Sequence, residues 1–260
     1  MGKLGGTMGA PDAIARETQI REIYRILAEA WGPQHWWPAQ SRMEVIAGAF
    51  LTQNTSWSNV ELALGQLRRA KVLSVDGIRA VPLVKLEKLV RSSGYFRQKA
   101  RCLKNFVRFL DENYRGSLTR MFSEPTEKLR EQLLALKGVG PETADSILLY
   151  AGQHPAFVVD AYTRRLAVRH GIAQEGVSYD ELCTLFARAL ERISSPPKRG
   201  TLLPRGASHE PSRMSSAKRS RSSQVFNDMH GFMVGIGKNY CHKSEPNCED
   251  CPLGPVLPAR

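Results

Sequence analysis

Leu133 to Ala151 reads LLALKGVGPETADSILLYA and carries the first residues able to do chemistry. An apolar helix ends at Leu136, Lys137-Gly138-Val139-Gly140 follows, and Pro141 takes the first position of the next helix. A missing N–H costs nothing there. The two glycines permit positive φ and a close approach of backbone to a ligand, and Val139 between them can pack inward to pin the turn. The N–H groups of such a turn, with the start of the next helix, face one place, an anion site suited to a phosphate. Further on, Phe157-Val158-Val159-Asp160-Ala161-Tyr162-Thr163-Arg164-Arg165 sets an acid, Asp160, at the mouth of another helix. There it can cap the helix while the helix start keeps it ionised. Cys241, Cys248 and Cys251 form C-x6-C-x2-C near the chain end. With Cys102 and Cys183 they make an odd total of 5, which argues against a disulfide framework, so the cluster looks like a metal site.

These residues need a frame to hold them. The chain has 260 residues, 42% apolar and 24% charged, enough for a real core in one or two domains. That composition excludes a wholly disordered, collagen-like or disulfide-packed chain. No apolar run reaches the ~18–20 residues that span a bilayer, and the N-terminus lacks the apolar stretch of a secretory signal. The expectation is a soluble cytoplasmic protein. Apolar residues at Ile20, Ile23, Tyr24, Leu27 and Trp31 repeat with helical spacing. Further helices are predicted over 42–54, 58–70 (with a Ser58/Glu61 capping box), 83–91, 98–114, 126–136, 142–150, 161–170, 179–193 and 224–235. Phe157-Val158-Val159 alone is strand-like and too short for a sheet. The fold class is therefore all-α.

The net charge is +12, of which +6 falls in residues 194–223. Nine Ser and four Pro in that stretch predict a disordered basic insertion. The remaining +6 favours a polyanionic partner such as nucleic acid.

The hairpin and the acid together resemble the helix-hairpin-helix (HhH-GPD) DNA glycosylases of the endonuclease III superfamily. Leu136, Gly138, Val139, Gly140, Thr143 and Ala144 match L-x-G-V-G-x-x-T-A, and Val159, Asp160 and Arg165 match V-D-x-x-x-x-R. The resemblance implies that Asp160 is the catalytic carboxylate. Cleaving a base–sugar bond develops cationic character on the sugar, and a fixed negative charge nearby stabilises it and can orient or deprotonate a water. Members that also cut the strand carry a Lys where this chain has Glu142, and its amine forms a Schiff base. A glutamate cannot form an imine, so little lyase activity is expected. Acid in the first helical turn also suits the helix dipole.

Gln34-His35-Trp36-Trp37-Pro38, Leu51-Thr52-Gln53-Asn54-Thr55 with Trp57, and Gly94-Tyr95-Phe96-x-Gln98-Lys99-Ala100 resemble the 3-methyladenine glycosylases of the endonuclease III type. The resemblance implies that Trp36 and Trp57 sandwich an extruded base, with Glu142 in the same pocket and Trp37 and Pro38 in its wall. It implies that Gln53 fills the gap in the duplex, with Lys137, Gly138, Val139, Gly140 and Thr143 on the DNA. Electron-rich indole faces suit a cationic N-alkylated purine; the same tryptophans could instead be core. C-x6-C-x2-C matches three ligands of the family's [4Fe-4S] loop, but the fourth position holds Leu257. His242, a small-molecule ligand, Cys102 or Cys183 could replace it; zinc, or no metal, is the alternative.

The implied architecture is a six-helix barrel-like domain over 34–155 and a second helical domain from 12–33 with 156–260. The implied partner is double-stranded DNA containing damaged bases, met by a monomer without membrane contact. A glycosylase for oxidised or mismatched pyrimidines, and a non-catalytic binder of distorted DNA, are the alternatives.

Overall fold

The computed structural model describes residues 13–194 and 210–258. It is all-helical, with no strand among the described residues. α1 (Ala13–Trp31) buries Ile20, Ile23, Tyr24, Leu27 and Trp31, the stripe read from its spacing. α2 (Arg42–Leu51) starts at Ser41, whose hydroxyl accepts the Glu44 N–H, and is buried along nearly its whole length. α3 (Trp57–Arg69) begins behind Ser56 rather than at Ser58. The expected capping box is absent because Glu61 instead accepts the Trp57 indole N–H at 3.0 Å.

Two short helices escaped the periodicity, α4 (Val75–Ala80) and, later, α7 (Leu118–Met121). Each is started by a serine cap and is too brief to display a repeat. Between them come α5 (Leu83–Leu89) and α6 (Phe96–Tyr114). The buried Lys99 of α6 donates to the carbonyls of Leu51, at 2.8 Å, and Ser93, at 2.6 Å. It thus fixes the end of α2, which carries Gln53 just beyond it.

α8 (Thr126–Leu134) leads into the hairpin and α9 (Pro141–Ser146) leaves it, widening into a π-helical stretch over Ile147–Gly152. That stretch packs on α2 and is buried through Ala151. α10 (Ala161–Arg169) and α11 (Tyr179–Glu191) follow, the latter with a Ser178/Glu181 capping box. α12 (Arg221–Asn239) packs on α10, α11 and α1. At Gly237 an added Cβ would lie 2.1 Å from the Tyr162 ring, so α10 and α12 approach closely there.

The basic insertion is corrected in its second half. Met214 is 7% exposed, its N–H donates to the Ala39 carbonyl at 3.0 Å, and Ala39 N–H donates to the Ser212 hydroxyl at 3.1 Å. Ser223 already lies inside α12, fully buried, and donates to the Gln153 carbonyl. Serines that satisfy backbone groups locally, with one buried methionine, order 210–223 despite its composition. Residues 195–209 lie outside the described residues.

Candidate active site

The hairpin is tighter than its sequence indicated. Gly138 has φ +88, and an added Cβ would sit 2.5 Å from Cys102 Sγ, so both backbone and space demand glycine. Gly140 does not need positive φ; it is extended at φ −99 with nothing within 4 Å of a would-be Cβ, which leaves the turn's outer face bare. Val139 is 8% exposed and its N–H is spent on the Leu136 carbonyl, so one of the turn's donors is not offered outward. Gln53 reaches across to donate to the Gly138 carbonyl at 3.1 Å and the Thr143 hydroxyl at 2.8 Å. It therefore braces the hairpin, and entering a duplex would mean exchanging both bonds. Gln53, Gly138, Val139, Gly140, Glu142 and Thr143 line one open groove. Lys137 is exposed beside it.

Asp160 caps α10: its Oδ1 accepts the Thr163 N–H at 2.7 Å and the Thr163 hydroxyl at 2.9 Å. Its Oδ2 faces His230 Nε2 at 3.6 Å. The side chain keeps 13% of its surface exposed, buried enough to be held and open enough to be reached. Arg165, the last residue of the acid's motif, points elsewhere. It donates to the Cys241 and Gly237 carbonyls and ties α10 to the end of α12.

Glu142 is exposed to the groove on one side and crowded by protein on the others. That crowding, and then the charge of Asp160, push its carboxyl up to about 7. Two acids that feel each other thus straddle the space between hairpin and helix start.

Both Trp36 and Trp37 are 5% exposed. Trp37 packs on Tyr150, with ring centroids 5.2 Å apart, and comes within 3.0 Å of a Cβ placed on Gly48, a core position. Trp36 touches Trp37, Trp57 and His230. Its ring lies 6.4 Å from that of Trp57 at an interplanar angle of 43°. A base held between them requires the rings to become parallel; Trp57, the outer of the two, is half-buried. Lys238 stands 6.0 Å over the Trp36 ring.

His230 and Tyr150 were not legible as site residues. His230 lies in Asn227-Asp228-Met229-His230-Gly231, where Gly231 admits Gln34 and Trp36, whose Cβ atoms lie 3.1 and 3.2 Å from an added Cβ. A glycine beside a histidine in an otherwise buried helix was the one available signal.

The cysteines divide. Cys102 donates to the Lys137 carbonyl under the hairpin and Cys183 to the Phe157 carbonyl, both remote from the tail, and His242 is exposed. Cys241, Cys248 and Cys251 line one small cleft with His170 and Leu257. Arg169 donates to Cys241 Sγ at 3.1 Å. His170 is 6% exposed and its Nδ1 has no partner. Among the described residues no three His, Cys, Asp or Glu side chains converge to hold a metal ion. Leu257 offers no donor atom, so the residues present do not make the four-thiolate set that a [4Fe-4S] cluster takes.

A family described as "HhH-GPD superfamily base excision DNA repair protein" matches residues 47–192. A provisionally named DNA repair glycosylase of Methanocaldococcus jannaschii is 39% identical over 236 residues, 90% of this chain and 93% of that protein. Endonuclease III of Thermotoga maritima is 27% identical, over 89% of each chain. Among solved structures, the 3-methyladenine DNA glycosylase of H. pylori bound to 1,N6-ethenoadenine superposes with a TM-score of 0.65 at 27% identity. That match covers 87% of this chain and 97% of the other. A trapped endonuclease III–DNA covalent intermediate gives a TM-score of 0.69 at 22% identity, covering 93% and 95%, and shows the shared fold.

Proposed function

The chain belongs to the HhH-GPD superfamily of base excision DNA repair proteins, and we propose that within it this protein is a monofunctional glycosylase releasing alkylated purines. It acts on damaged bases in double-stranded DNA. The observation that carries this reading is Asp160, held at the start of α10 by Thr163 and electrostatically coupled to Glu142 in the hairpin groove. Its fixed charge steadies the sugar as the bond to the base breaks, and a water completes the substitution. The hairpin grips the phosphate backbone. Trp36 and Trp57 hold the base.

Charge and rings favour a cationic leaving base. Asp160, which faces the His230 ring packed on Trp36, and Glu61, which accepts from the Trp57 indole, outnumber Lys238 around the tryptophans, a surplus of acid that attracts N-alkylated purines, as do the indole faces. The similarity to the H. pylori 3-methyladenine glycosylase supports the same substrate class. Single-turnover assays on duplexes carrying 3-methyladenine, an oxidised pyrimidine or a mismatch should show the alkylated purine released fastest. Preferential release of the oxidised pyrimidine would overturn the substrate class.

Glu142 stands where strand-cutting relatives of the resembled kind carry the amine. Borohydride treatment during turnover is therefore expected to trap almost no covalent protein–DNA adduct with the natural chain. Glu142→Lys should produce adduct, since an amine then faces the sugar beside Asp160. Abundant adduct from the unaltered protein contradicts the monofunctional assignment.

The cysteine cleft takes no part in this chemistry. Chelation of iron and zinc should leave the single-turnover rate within about twofold, because Asp160, the group proposed to react, supplies its electrostatics without a metal. A rate falling in proportion to metal removed would show that the centre belongs to the chemistry.

A further inference from the structure

Asp160 uses its two oxygens differently. Thr163 takes Oδ1 twice, while Oδ2 is turned toward a histidine from a distant helix, α12. His230 is 4% exposed, and its second nitrogen, Nδ1, lies 2.6 Å from the Tyr150 hydroxyl. Tyr150 is 1% exposed and sits on the π-helical stretch after the hairpin. A buried line thus runs Tyr150–His230–Asp160, flanked by Trp37 at one end and by Trp36 against the imidazole.

The line has one favourable protonation pattern. Burial pushes His230 below the ordinary imidazole value while Asp160 pulls the other way, so the ring is neutral near pH 7. A neutral ring protonated on Nδ1 would turn the Nε2 lone pair toward a carboxylate, two electron-rich atoms facing each other in a dry place. Protonation on Nε2 lets the Tyr150 hydroxyl donate to Nδ1 and aims an N–H at Asp160. The 3.6 Å separation is longer than a made hydrogen bond, and catalytic bonds commonly tighten when substrate is bound.

We infer that His230 is a positioning residue for Asp160: its Nε2–H, selected by Tyr150, holds Oδ2 so that the carboxylate stays aimed at the sugar. This rests on the reading of Asp160 as the reacting group. Other titratable groups surround the line. Glu142 couples to Asp160, Arg219 faces Tyr150 and Asp228, and Asp228 lies two positions before His230 on α12. Burial lifts Asp228 to about 7 and lowers Arg219. Lys238 lies across Trp36.

The test is the pH profile of single-turnover base release by the full chain, with the natural Glu142 kept throughout so that its titration is common to every variant compared. His230→Leu is expected to slow release about tenfold and move the acid limb to higher pH, since a donor to the ionised form is lost. His230→Gln, whose amide can place a donor near Nε2, should restore most of both; His230→Asn, with its donor near Nδ1, should not. Tyr150→Phe should fall between. An unmoved acid limb with His230→Leu within about twofold of its parent would overturn the inference, as would equal impairment by Leu, Gln and Asn. If His230→Leu does not fold, the Gln and Asn comparison decides alone. Asp160→Asn, run alongside, separates the two readings: should it release base normally, the assignment of Asp160 fails. If it is inactive and His230 variants behave like their parent, the inference about His230 alone fails.

Discussion

Asp160→Asn is expected to lower single-turnover base release by about a thousandfold or more while leaving affinity for damaged duplex within about threefold. The size follows from what is removed. A preorganised charge beside a developing cation, together with the ability to accept a proton from water, is worth roughly 10²–10⁴ in rate. Asparagine keeps the shape, and its side-chain oxygen can still accept from Thr163, so the start of α10 should stay formed. Binding should survive because the contact with phosphates proposed for the hairpin does not pass through this residue. The check is a rate measured with enzyme in excess beside a binding isotherm on the same duplex. Near-natural rates would leave Asp160 as a helix cap and nothing more.

Gly138→Ala is expected to weaken duplex binding by about thirty- to a hundredfold and to lower the melting temperature by a few degrees. Two costs combine. A left-handed backbone at φ +88 penalises a residue with a Cβ by roughly 1–2 kcal/mol. The new methyl would also lie 2.5 Å from Cys102 Sγ, a buried atom that cannot move far. The hairpin must then shift, and with it the Gly138 carbonyl that Gln53 holds. Adding Cys102→Ala removes the collision and leaves the dihedral cost, so the double variant should recover part of the affinity but not all. Equal affinity for Gly138→Ala and the natural chain would show that the turn does not need this geometry to grip DNA.

The hairpin and the acid were legible because each is local. Gly138, Pro141 and Asp160 meet requirements set within a few residues, by a turn, a first helical position and a cap. The Tyr150–His230–Asp160 line was not legible, because its members lie ten to eighty residues apart and come together only when α12 packs on α10 and the π-helical stretch. Gly140 misled for a different reason: its sequence place beside Gly138 suggested a second positive φ, whereas its value lies in the bare surface it leaves. Composition misled over 210–223, since it registers nine serines in the surrounding stretch but not that Ser212 and Ser215 bond to each other, that Ser212 also accepts from the Ala39 N–H, and that Met214 is buried. In the cysteine tail the missing fourth thiol was readable at Leu257. That His170 lines the same cleft was not, since it sits at the far end of α10.

The chemistry is tested most directly by analysing the DNA after one turnover on a duplex carrying a single 3-methyladenine. Free methylated base is expected, with a strand that remains whole until alkali is added, the mark of hydrolysis at an intact abasic sugar. No released base, or a strand already cut before alkali, would contradict it.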